Sequence, residues 1–140
     1  MKILLPVDGS DYTQRMLSYI ASHGEWLGTG HDFLFLTVIT AIPGYAAKFV
    51  DRTTLEGYYR EQADKVLEPV CAFARQQHFR FDAVHRHGVP ADTIAAFAVA
   101  ENVDLIVMGS HGHSALGNVL LGSVAGGVLA RCKTPVLLIR

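Results

Sequence analysis

The chain has 140 residues, of which half are hydrophobic and 18% are charged, and its formal net charge at neutral pH is −1. That length and balance suit one globular domain with a sizeable core and exclude a disordered chain. The near-zero charge argues against general nucleic-acid binding, which draws on a basic excess, and no apolar stretch approaches the roughly 20 residues of a membrane span.

The opening "MKILLPVDGS" has a basic second residue and a short apolar run, but Asp8 ends that run too early for a signal peptide. Residues 2–7 read instead as a buried strand meeting a turn at Asp8-Gly9-Ser10. Ser10 is placed to cap a helix and Asp11 sits favourably in its first turn. Met16, Leu17, Ile20, Ala21 and Leu27 follow at helical spacing until Gly28 and Gly30 stop the pattern. "FLFLTVI" (33–39) is a second buried strand, and "TAIPGYAAKFVDR" (40–52) reads as a flexible excursion from its carboxyl end.

From Thr53 to about Gln77 the apolar positions Leu55, Tyr59, Ala63, Val66, Val70 and Ala74 return to a helical period, within which Pro69 should kink or split the helix. "RFDAVHRH" (80–87) is a weaker strand with polar groups on both alternating faces, "GVP" (88–90) is a turn, and Pro90 begins an alanine-rich helix. "DLIVMG" (104–109) is the fourth strand, 123–132 a last helix and 135–140 a final strand. Cys71 and Cys132 lie in apolar surroundings and read as reduced core residues, which points to a cytoplasmic protein.

The order β-α-β-α-β-α-β-α-β, with strands that rarely alternate, predicts a single doubly wound α/β domain. Its sheet is five-stranded and parallel, helices cover both faces, and the fold is Rossmann-like. In such a sheet a ligand binds outside the carboxyl ends of the strands, where the strand order reverses. Two polar turns are expected there: Asp8-Gly9-Ser10, and the loop 109–123 with Gly109, Gly112 and Gly122. The second opens a helix at Gly122-Ser123, whose unpaired N–H groups favour an anion, and its glycines would let phosphate oxygens approach the main chain. Glycines are also common in a generic connection of this kind. The chain has neither G-x-x-x-x-G-K-[ST] nor a G-x-G-x-x-G after the first strand, and "GHSAL" (112–116) lacks the second glycine of a nucleophile elbow.

Gly109-x-x-Gly112, nine residues and then Gly122-Ser123 resembles the G-2x-G-9x-G-[ST] motif of the ATP-binding branch of the universal stress protein family. "ILLPVDGS", "HGVP", "DLIVMGSHG", "LLGSVA" and "PVLLIR" also fall in that family's order, so the resemblance runs the length of the chain. It implies an adenine nucleotide alpha hydrolase-like fold and binding of ATP, with any Mg²⁺ held through the phosphates. Asp8 would contact the adenosine portion, with Pro6 and Val7 beside it. Val38 would line the adenine pocket and Met108 would pack by the base. Gly109, Gly112, Gly122 and Ser123 would hold the phosphates near the backbone of His111 and Val124. The resemblance also implies a homodimer joined through 135–139.

Read from the residues alone, Asp8 and Ser123 serve equally well as turn and helix caps, and Val38 and Met108 as core. No lysine or arginine lies between 109 and 123, so binding with slow or no hydrolysis is expected. His85 and His87 share a strand face but lack a cysteine or carboxylate at ligand spacing, so no zinc site is expected. His111 and His113 are placed near phosphate, where partial protonation would help an anion bind. Two other readings stand beside this one: an interaction module with an empty cleft, and a small hydrolase using Ser114 or Ser123 with a histidine.

Overall fold

Apolar runs without alternation become strands covered on both faces. The computed structural model describes residues 1–114 and 118–140. The strands are β1 (Lys2–Pro6), β2 (Asp32–Ile39), β3 (Arg80–His87), β4 (Leu105–Gly109) and β5 (Val136–Ile139), all parallel, in the order β3-β2-β1-β4-β5. The chain therefore winds outward from β1 to β3, then crosses back to β4 on the other side of β1. That reversal between β1 and β4 sets the crevice.

Successive side chains along each strand point to opposite faces. Ile3, Leu5, Phe33, Phe35 and Val107 meet α1 (Asp11–Ser22), α2 (Gly24–Leu27) and α4 (Arg52–Gln76). Leu4, Leu34, Leu36, Ile106 and Met108 meet α5 (Pro90–Ala100) and α6 (Ser123–Arg131). β3 lies at the sheet edge and is largely uncovered, which explains its polar residues on both faces. At the amino ends of the strands, the Lys2 amide donates to Asp104 at 2.7 Å and the Lys2 ammonium pairs with Glu101 at 2.8 Å.

The structure differs from the sequence reading at four places. The first helix stops at Ser22, and a separate turn of helix, α2, delivers Leu27 to the core. Ser10 occupies the N-cap position of α1 but makes no capping bond, and its buried hydroxyl has no partner among the described residues. The 40–52 segment contains a short helix, α3 (Gly44–Ala47), and α4 already begins at Arg52, where the Asp51 side chain accepts from the Thr54 N–H at 2.8 Å. Helix α4 runs on through Pro69 for 25 residues without splitting. Proline removes only the bond to the Lys65 carbonyl, and both residues are exposed, so water can serve that oxygen.

Candidate functional site

Beyond the carboxyl ends of β1, β2 and β4 lies a cleft of about 650 Å³. Each expected site residue borders it: Pro6, Val7 and Asp8 from the end of β1, Val38 from β2, Met108 and Gly109 from β4. His111 and Gly112 reach it from the following loop, and Gly122, Ser123 and Val124 from the start of α6. Sequence reasoning missed Tyr12 and Thr13 on α1, Thr37 on β2 and Thr40 just beyond it, and Pro90 and Ile94 on α5. The available signal for the last pair was Pro90 opening a helix directly after β3, with Ile94 one turn further along the same face. Of the "GHSAL" segment, Ala115 and Leu116 lie outside the described residues.

The three loop glycines have reasons internal to the protein. A Cβ on Gly109 would stand 2.7 Å from the Tyr12 Cβ, and one on Gly122 would stand 2.8 Å from the Ser110 carbonyl oxygen. A Cβ on Gly112 would strike the Oδ2 of Asp8. The Gly122 amide is also committed, donating to the Ser110 carbonyl at 2.7 Å. Glycine is thus needed here for close packing, and Gly122 shapes the loop without offering its own N–H to a ligand. The donors facing outward lie just beyond it. No side chain caps α6, and the amides of Ser123, Val124 and Ala125 have no partner among the described residues. They form the positive end of a nine-residue helix.

Asp8 is fastened from several sides. Its Oδ1 accepts from the Ser10 amide at 2.9 Å and from the Thr13 hydroxyl at 3.0 Å, while its own amide donates to the Thr13 oxygen at 3.1 Å. Burial raises the carboxyl's pKa, but the hydrogen bonds from Ser10 and Thr13 and the neighbouring His113 outweigh it and hold it below the ordinary carboxylate value. The group is therefore an anion at neutral pH. Its Oδ2, beside Gly112, repels a bare phosphate and suits a hydroxyl donor or a cation.

The loop histidines border the cleft and also act as tethers. His111 Nε2 donates to the Val119 carbonyl at 2.6 Å, and its Nδ1 meets the Ser110 hydroxyl at 2.9 Å. His113 Nε2 donates to the Asp8 carbonyl at 2.6 Å, joining the β4 loop to the end of β1. Neither histidine bonds Ser114 or Ser123 among the described residues, and Ser110 is buried, so no nucleophile–base pair faces the cleft. Among the described residues no three histidine, cysteine or acidic side chains converge on a metal position, and no helix is long and apolar enough to cross a membrane.

A five-stranded parallel sheet with helices on both faces and a crevice at the β1/β4 reversal places the chain in the class of doubly wound, Rossmann-like α/β proteins. The chain belongs to the universal stress protein family, whose sequence profile matches residues 1–140. A universal stress protein of Thermus aquaticus is 33% identical over 138 residues, covering 99% of this chain and 97% of its own. The solved structure of a Methanocaldococcus jannaschii universal stress protein superposes with a TM-score of 0.82 at 28% identity, covering 99% of this chain and 94% of that one. The universal stress protein from Archaeoglobus fulgidus solved in complex with dAMP shares the fold at a TM-score of 0.67 and 22% identity, covering 100% and 98% of the two chains.

Proposed function

We propose that the cleft binds an adenine nucleotide, ATP in first place. The protein then acts as a nucleotide-dependent stress-response module with slow or no hydrolysis. The observation that carries this reading is the continuity of one cleft from an apolar wall at Val38, Ile94 and Met108 to the uncapped terminus of α6. The wall suits a base, Asp8 suits ribose hydroxyls, and the amides of Ser123 and Val124 suit phosphate oxygens, each charge-assisted contact contributing roughly 1.5–3 kcal/mol. The Gly109-x-x-Gly112 and Gly122-Ser123 spacing agrees with the ATP-binding branch of the family. Proteins of this fold have been solved with dAMP, AMP and cAMP; at 22%, 16% and 23% identity, that likeness supports the fold alone.

Mg²⁺ fits the same site through oxygen ligands, with phosphates as its main holders and the Asp8 carboxylate and Ser123 hydroxyl as the protein oxygens at hand. When bound, the ion supplies charge neutralisation for the phosphates. Among the described residues no lysine or arginine lines the cleft, which favours occupancy over turnover. The reading extends to a single domain over 1–140, a cytoplasmic location, and a homodimer through 135–139, where β5 offers an unpaired sheet edge.

Mass spectrometry of small molecules released from freshly purified, denatured protein tests the reading, followed by calorimetric titration of the emptied protein with Mg-ATP. Released adenine nucleotide and a saturable heat are expected. No nucleotide and no heat would leave an interaction module with an empty cleft.

A further inference from the structure

The cleft carries little positive charge of its own. Its described lining includes the Asp8 carboxylate and no lysine or arginine, and both imidazoles spend their Nε2 on backbone carbonyls as tethers. Each phosphate beyond the first would bring more negative charge into that space. A cation that served a terminal phosphate would have to reach in from the rim.

Arg15 is so placed. It lies on α1 one turn after Tyr12, and its guanidinium carbon stands 4.9 Å above the centre of the Tyr12 ring. Tyr12 borders the cleft, and its ring is 5.2 Å from that of His111. His111 in turn is bonded to Val119, three residues before Gly122 and the open end of α6. Arg15 is exposed, and among the described residues it makes no ion pair, although Asp11 precedes it by one turn on the same helix. Stacking on Tyr12 narrows the freedom of a long side chain while leaving its N–H fork unbonded.

We propose that Arg15 is a specificity-determining residue that makes the cleft prefer a nucleoside polyphosphate over the monophosphate. This rests on the reading of the cleft as a nucleotide site. The guanidinium rests on the Tyr12 ring. When a polyphosphate is bound, it turns to the outermost phosphate, donating two N–H bonds to its oxygens. A monophosphate ends at the helix terminus and does not extend to Arg15.

The test is titration of the intact protein, R15Q and R15K with ATP, ADP and AMP at low and high salt. For an exposed pair of this kind, R15Q should weaken ATP about 3–10-fold and AMP less than about 2-fold, with ADP between them. R15K, which keeps the charge and loses the fork, should retain part of the preference, and added salt should erode the preference of the unaltered protein. Unchanged thermal unfolding of R15Q would exclude misfolding as the cause. Equal losses for ATP and AMP in R15Q, or no loss for either, would overturn the role of Arg15. If the unaltered protein takes up neither ATP nor AMP, the nucleotide reading itself fails and the proposal goes with it.

Discussion

Helices α1, α2 and α4 pack on one face of the sheet over an aromatic core, whereas α5 and α6 on the other face flank much of the cleft near the carboxyl ends of the strands. The first face is aromatic: Phe33 and Phe35 are fully covered or nearly so, Phe33 meets Phe79 at a tilt and Phe35 meets Phe81 edge to face. The opposite face is built from smaller groups, with Ala125 and Val128 on α6 packed beside Ile94 and Ala98 on α5. There Gly127 lets α6 approach so closely that a Cβ would stand 2.5 Å from the Ala91 Cβ. Drawing the two helices together consumes little volume and leaves the space that Val38, Ile94 and Met108 share between core and cleft. The aromatic layer buries the bulkiest rings, and the candidate cleft borders the thinner layer.

The hardest blow to that division would come from Phe35→Ala. Loss of a fully buried ring should remove about 3–5 kcal/mol from the unfolding free energy in urea, while the fraction that remains folded binds nucleotide as before. A loss under about 1 kcal/mol would erase the contrast between the layers. Gly122→Val should act the other way round, costing about 1–3 kcal/mol through contact with the Ser110 carbonyl and His111 and lowering nucleotide affinity at least about tenfold. Unchanged affinity in calorimetry would separate the loop from the ligand.

Gly127→Ala sharpens the comparison within the thinner layer. Helix propensity favours alanine by about 1 kcal/mol, but the contact with Ala91 opposes it, so thermal unfolding should show a net loss of about 1 kcal/mol. Asp8→Asn should have the smallest effect, and its signature is pH dependence. The folded-state pKa of Asp8 lies below the ordinary value, so its contribution is complete above the unfolded-state value and fades as pH falls through the folded one. The asparagine variant should therefore lose that small contribution at neutral pH and show a flatter acid limb, the gap to the unaltered protein closing as pH falls. An identical acid limb would mean that the Ser10 and Thr13 contacts do not favour the anion.

Much of the architecture could be read from residue order. Strands buried on both faces announce a parallel sheet, and the rule that ligands sit at its switch point placed Asp8 and the 109–123 loop together before any coordinates. What could not be read was decided by contacts distant in sequence. Whether Pro69 breaks a helix depends on the exposure of Lys65, four residues back, and the single-residue register of α4 at Arg52 depends on Asp51 acting as its cap. The tethers of the histidines were hidden for a similar reason: His113 finds its acceptor on Asp8, 105 residues away. Tyr12 and Ile94 reach the cleft only because their helices start at the strand ends, which spacing alone does not reveal.

The bonds from His111 to Val119, His113 to Asp8 and Gly122 to Ser110 are all made between the protein's own groups. A ligand therefore meets these anchor points already set, and their ordering subtracts little from the affinity. Association should then be a single fast phase whose rate rises linearly with ligand concentration. Removing the His113 anchor would introduce a slower rearrangement that levels off.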